Sequence, residues 1–137
     1  MENKKIYFAT KALIINNNKY LALHKTEETG YLWELPGGRM EFGETAEETL
    51  FREVKEEINL VINSYKLLDT WNFVSKEYQI TGVIYLCTIK DGDVILSDEH
   101  DKYQWLEFND ESISIMHDVF KERMVRWNIN NLSRYEF

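Results

Sequence analysis

Residues 38–60 read GRMEFGETAEETLFREVKEEINL. This stretch carries the strongest helix signal in the chain. Thr45 and Glu48 stand in the T-x-x-E spacing of a capping box, in which each side chain satisfies a backbone N–H of the other. Ala46, Leu50, Val54 and Ile58 follow at four-residue steps with Phe51 beside them, which gives one apolar stripe. Asn59 is a residue that tolerates the left-handed conformation in which helices stop.

The polar side of that helix holds Glu53, Glu56 and Glu57, spaced i, i+3 and i+4. At about 100° per residue they share one arc roughly 100° wide, and Arg52 lies at its edge, one turn before Glu56. Like charges at this spacing cost a helix a few tenths of a kcal/mol each. A hard divalent cation such as Mg²⁺ or Mn²⁺ removes the cost, because it takes carboxylate oxygens together with substrate phosphates. An isolated E-x-x-E-E is more often a solvated face, and with 17 Glu in 137 residues such clusters are common.

Upstream of the helix, Ile6 to Ile15 and Lys19 to His24 read as strands around an Asn16-Asn17-Asn18 turn. Thr26 to Gly30 is polar loop, and the short apolar run Tyr31 to Leu35 is closed by Pro36-Gly37-Gly38. Downstream, Leu60 to Phe73 and Tyr78 to Ile89 read as strands, Lys90 to Asp93 as a turn and Tyr103 to Phe108 as a further strand. Glu111 to Asn128 reads as one last helix with Ile115, Val119 or Phe120, and Met124 on successive turns. Strands in this mixture with two helices predict an α+β fold, its sheet covered on both faces.

Composition narrows the function. A chain of 137 residues is one domain's worth, and 44% apolar residues with 7 Phe, 8 Tyr and 4 Trp are enough for a core. The single cysteine, Cys87, excludes an internal disulfide and an all-Cys zinc site. With no signal-peptide pattern, a cytoplasmic location is the default expectation, and no apolar stretch is long enough to span a membrane as a helix. The net charge of −8 argues against stable nucleic-acid binding. An anionic substrate would need cations between it and the protein.

The spacing of residues 38–60 resembles the Nudix box, G-x5-E-x7-R-E-U-x-E-E-x-G-U with U apolar. Gly38, Glu44, Arg52, Glu53, Val54, Glu56, Glu57 and Leu60 match, and Asn59 stands where the family has Gly. The resemblance implies a single Nudix hydrolase domain over residues 1–137, with an α/β/α sandwich around a mixed sheet. It implies metal-dependent cleavage of the pyrophosphate linkage of a nucleoside diphosphate derivative, with Mg²⁺ or Mn²⁺ as cofactor. Glu53, Glu56 and Glu57 are then the metal ligands, one of them with a role as general base. The carbonyl of Gly37 or Gly38 completes the coordination, and Arg52 orients a box carboxylate. Glu44 supports the helix start.

Family resemblance also directs attention to the acidic loop before the Tyr103 strand. Glu99 is the candidate there, as ligand or base, with His100 as a candidate to assist at neutral pH. His24 is read as a strand end or surface residue, and His117 as a structural or exposed residue of the last helix. Aromatics for a base or sugar pocket are Trp33, Phe73 and Tyr78, with Tyr85 and Trp105 behind them. A MutT-like nucleoside triphosphate pyrophosphatase, releasing monophosphate and pyrophosphate, is the default for a short member. The alternatives are a dinucleoside polyphosphate hydrolase, suggested by Tyr78, and a non-catalytic nucleotide-binding domain. The expected partner is a nucleotide or a nucleoside diphosphate-linked small molecule, and a homodimer is left open.

Overall fold

The computed structural model describes residues 3–25 and 32–127. Seven strands form one mixed sheet: β1 (Lys5–Asn16), β2 (Lys19–His24), β3 (Trp33–Glu34), β4 (Gly37–Arg39), β5 (Val61–Val74), β6 (Tyr78–Asp91) and β7 (Lys102–Glu107). The path runs β3–β2–β1–β6–β5, with β4 added to β1 and β7 to β2. β1 and β6 pair in parallel from Lys5↔Tyr78 to Ile14↔Cys87, and the other pairings are antiparallel. The predicted β1–β2 turn is present, with Asn17 and Asn18 both at positive φ, the conformation that Asn adopts at low cost.

Alternation along β1 divides the core. Ala9, Leu13 and Ile15 face one layer with Tyr20, Trp71, Ile84 and Leu86. Ala12 and Ile14 face the other, against Leu50, Val54 and Ile58 of the helix α1 (Ala46–Ile58). Each of the buried Leu, Ile and Val side chains among them contributes roughly 1.5–3 kcal/mol. Cys87 lies in the α1 layer, fully buried, and burial pushes its thiol well above the usual range.

The ends of α1 are as read. Thr45 Oγ1 accepts from Glu48 N at 3.1 Å and Glu48 Oε1 accepts from Thr45 N at 3.0 Å. Asn59 closes the helix at φ 62° and ψ 27°, accepts from Lys55 Nζ and donates to Asp93 O. Past that cap the segment 95–97 folds back on the helix end: Ile95 N donates to Ile58 O and Ser97 N to Glu57 O. This return brings residues 98–101 beside Glu57.

Two expectations need correction. The last helix is not continuous. α2 (Asp110–Ser114) and α3 (Asp118–Met124) are separated where Met116 bridges to Trp33, with Trp33 N donating to Ile115 O and His117 N to Trp33 O. Buried Ile113, Met116, Phe120 and Met124 keep steps of three and four across this break, so the apolar pattern alone reads as one helix, while Ile115 is exposed. His24 ends β2 as read, but it is buried rather than superficial, and its Nδ1 lies 2.9 Å from Asp101 Oδ1. Asn128, Tyr31 and the stretch from Thr26 to Gly30 lie outside the described residues.

Asn59→Ala places a Cβ-bearing residue without a polar side chain in the left-handed region. It should lower stability by about 1–2 kcal/mol, while Asn59→Gly should stay within about 0.5 kcal/mol of wild type. Urea unfolding of the two variants checks this, and equal losses would remove the conformational explanation.

Candidate active site

Arg52 organises the acidic face of α1. Its guanidinium makes five hydrogen bonds: Nε to Glu44 Oε2 at 2.6 Å, Nη2 to Glu44 Oε1 at 2.9 Å and Arg39 O at 3.0 Å, and Nη1 to Glu53 Oε1 at 2.9 Å and Glu56 Oε2 at 3.2 Å. Charge-assisted bonds of this kind, two of them in a fork to one carboxylate, fix orientation as well as adding energy. Glu44 also accepts from Glu41 N and Thr49 Oγ1. The Arg52 bonds hold the Glu44 carboxyl down at about 2, and Glu44 in turn raises the guanidinium above its ordinary value. Glu44 is therefore a brace for Arg52.

The glycine turn supplies the space into which the carboxylates fit. Gly37 has φ +138°, and a Cβ there would strike the backbone of Thr10 and Lys11 across the β1–β4 pairing. At Gly38 a Cβ would strike the Glu53 carboxylate itself. Glu53 thus lies flat against the turn. Glu57, buried, accepts from Gly37 N at 2.9 Å. Glu56 keeps an exposed carboxylate on the Arg52 side.

Beyond α1 the site draws on distant segments. Lys11, buried on β1, donates to Leu35 O at 3.2 Å, and its ammonium lies 5.7 Å from the ring centres of both Trp71 and Phe120. His100 is buried, with Nε2 2.8 Å from Glu34 Oε1 and Nδ1 3.9 Å from Glu57 Oε2. Ligand atoms of Glu57, Glu99 and His100 lie within 4.8 Å of one another. Burial pushes Glu57 up to about 7, against the pull of Lys11, His100 and the Gly37 N–H. Burial also acts on Glu34, but there Lys11 and the His100 bond outweigh it and hold the group at about 2. Two carboxyls in one cavity are thus driven apart, the pattern that separates a proton-holding group from an ionised one.

These groups line one cavity of about 890 Å³. Gly37, Gly38, Glu53, Glu57, Glu99 and His100 are among its lining residues. Phe73 and Tyr78 of the sequence reading line it as well, 6.1 Å apart between ring centres. Trp33 does not: it packs on His24 at 5.1 Å, and its backbone is committed to the bridge with Met116. Trp71 takes the aromatic position instead, packed on Phe120 at 5.5 Å. Tyr85 and Trp105 pack on the α1 layer of the core.

Lys11 and Glu34 are lining residues that sequence reasoning passed over, and His117, read as structural or exposed, lines the cavity too. A lysine inside the buried run ATKALII was the available signal for the first, since a buried cation needs partners. His117 is the N-cap of α3: its Nδ1 accepts from Val119 N at 3.2 Å and its ring lies edge-on to Phe73.

Comparison with known proteins bears on the family and the fold. The NUDIX domain family model matches residues 7–127. An 8-oxo-dGTP diphosphatase from Proteus vulgaris is 34% identical over 90 residues, which are 64% of this chain and 80% of that protein. An RNA pyrophosphohydrolase from Campylobacter jejuni subsp. doylei is 30% identical over 125 residues, 79% of this chain and 80% of that one. In fold, the MutT protein from Methanosarcina mazei Go1 superposes with a TM-score of 0.81 at 24% identity, covering 99% of this chain and 100% of the other.

The raised Glu57 has a consequence for stability. A carboxyl whose folded value exceeds its unfolded one binds its proton more tightly when folded. Its contribution is complete below the ordinary carboxylate range and is lost as pH rises through about 7. Glu57→Gln keeps an acceptor for Gly37 N–H and cannot ionise. In metal-free buffer the melting temperature of Glu57→Gln should match wild type near pH 4.5 and exceed it at pH 8. A difference that does not change with pH would contradict the assignment.

Proposed function

The chain belongs to the Nudix family and is a pyrophosphohydrolase, and we propose that its substrate is a nucleoside triphosphate, hydrolysed to the monophosphate and pyrophosphate. The observation that carries this reading is the mixed lining of one cavity, the carboxylates of Glu53, Glu57 and Glu99 together with the rings of Trp71, Phe73 and Tyr78. A polyphosphate needs the first and a nucleobase the second. The similarity to a diphosphatase of 8-oxo-dGTP supports a nucleotide of that class. A dinucleoside polyphosphate is the second reading, favoured by Tyr78 at the cavity wall.

The donor set suits hard divalent cations. Glu53 fills a cradle that any side chain at position 38 would close, and Glu57 is buried with one backbone N–H as its hydrogen-bond partner. Glu53, Glu56 and Glu57, with the carbonyl of Gly37 or Gly38, would hold Mg²⁺ or Mn²⁺. Ions of this kind neutralise bridging phosphates and lower the pKa of an attacking water.

The remaining work falls to side chains. Arg52 fixes Glu53 through Nη1, so that its second oxygen keeps one orientation. Lys11, in the same lining, offers the ammonium hydrogens left by Leu35 O to a phosphate oxygen. Trp71 and Phe73 stack on the base and exclude water from that end. Glu99, exposed in the cavity lining and outside the Arg52 network, takes the proton of the attacking water on a carboxylate oxygen.

Hydrolysis should vanish in EDTA and return with Mg²⁺ or Mn²⁺, measured as pyrophosphate release over a nucleotide panel. Turnover in metal-free buffer would refute the mechanism. Glu53→Gln should lower kcat by roughly 10²–10⁴. Glu48→Gln, in the cap of the same helix, should leave kcat nearly unchanged. For Glu99→Gln a loss of about 10-fold in kcat with a smaller change in KM is expected. If Asp98→Gln and Glu99→Gln behave alike, Glu99 is not the base.

A further inference from the structure

We propose that the buried imidazole of His24, through its bond to Asp101, sets the place of the Glu99 carboxylate, so that His24 and Asp101 are positioning residues of the hydrolysis. This rests on Glu99 as the base of the proposed reaction and is independent of which nucleotide is cleaved.

His24 ends β2, is 3% exposed and is not among the residues that line the cavity. Its Nδ1 lies 2.9 Å from Asp101 Oδ1. The bond to His24 holds Asp101 below the usual carboxylate range. An ionised carboxylate can only accept, so Nδ1 bears the hydrogen and donates. The main chain repeats the tie, since Asp101 N donates to His24 O at 3.1 Å. The ring has its own support: it packs on Trp33 at 5.1 Å between ring centres, and Trp33 is bridged to Met116. The buried partner thus belongs to the sheet, and the half-exposed one, Asp101, to the loop before β7. A polar tie with one end half in solvent adds little to global stability. Its effect is local, on where the backbone of residues 98–101 lies.

Glu99 stands between fixed points on that backbone. Before it, Ser97 N donates to Glu57 O at 2.9 Å, so the loop starts from the end of α1. After it, His100 Nε2 lies 2.8 Å from Glu34 Oε1, and Asp101 is tied to His24. The two histidine–carboxylate ties run in opposite senses. The loop gives an imidazole to Glu34 of β3 and a carboxylate to His24 of β2, and these strands pair at Leu23↔Glu34 and His24↔Trp33. Glu99 itself is exposed, and among the described residues its carboxylate has no hydrogen-bond partner; only its N–H is engaged, with Ser97 Oγ at 3.4 Å. Its place is therefore inherited from the backbone that carries it. A general base must keep its oxygen within hydrogen-bond reach of the proton it takes, and a displacement of about 1 Å can cost as much as about 10²-fold in rate.

A double-mutant cycle on the whole protein, with Mg²⁺ and a nucleoside triphosphate, tests this. Asp101→Ala removes the acceptor from the exposed end of the tie and opens no hole in the core. It should lower kcat about 5-fold, with KM within about 2-fold of wild type. In the Glu99→Gln background the same change should cost nothing further, because the tie acts only through that carboxylate. Asp101→Asn, whose amide oxygen still accepts from the Nδ1 hydrogen, should keep kcat near the wild-type value. His24→Asn, which offers an amide N–H near the place of Nδ1, should turn over faster than His24→Leu; if these buried variants fail to fold, the Asp101 variants decide. Normal kcat in Asp101→Ala, a loss that adds to that of Glu99→Gln, or equal losses in Asp101→Ala and Asp101→Asn would each overturn the positioning role and leave Glu99 as the base. Normal kcat in Glu99→Gln would instead refute the base, and the positioning role would fall with it.

Discussion

The site depends on one guanidinium. In a chain of net charge −8, residues 44, 53 and 56 place carboxylates around Arg52, and the cation binds all three while also holding Arg39 O. Mutual repulsion would otherwise spread these groups into solvent. A lysine would not replace it, since a single ammonium lacks the planar fork that grips both oxygens of Glu44 and reaches two further carboxylates. With Arg52 spent on the frame, Glu53 and Glu57 line the cavity, and the glycine turn admits Glu53 only because position 38 lacks a Cβ.

How far the sequence disclosed this depends on where the determinants lie. The cap, the stripe, the left-handed stop and the acidic face of α1 are all local to residues 38–60, and helix periodicity relates them directly. The β1–β2 turn and the long strands were legible for the same reason. Lys11, Glu34 and His100 meet Glu57 only through the sheet: Lys11 sits opposite Gly37 and Ile84, and the 95–97 segment returns to the end of α1. No spacing along the chain encodes that meeting. The break between α2 and α3 was hidden because its cause is a single bridge to Trp33 that leaves the apolar rhythm intact. The same bridge removes Trp33 from the cavity wall.

Several groups in the cavity are arranged at a cost to the unliganded fold. Glu57 is buried and raised, Lys11 is a buried cation, and Nδ1 of His100 has no hydrogen-bond partner among the described residues. Such groups are retained where they serve recognition or chemistry, and the surrounding core must hold them in place. Here that core is the double layer divided by β1. Its own odd face changes at Lys11 from packing to function, between Ala9 and Leu13. Ligand binding and folding are therefore linked: an ion that satisfies these groups also stabilises the folded state in proportion to its occupancy.

Cys87 gives the same core a chemical readout. It lies fully buried between sheet and α1, and its thiol is held far from the thiolate form that reacts. Alkylating reagents therefore meet it only when the α1 layer lifts from the sheet. As the chain has a single cysteine, each labelled molecule records one such opening. The rate of labelling measures the free energy that keeps α1, and with it the box carboxylates, on the sheet.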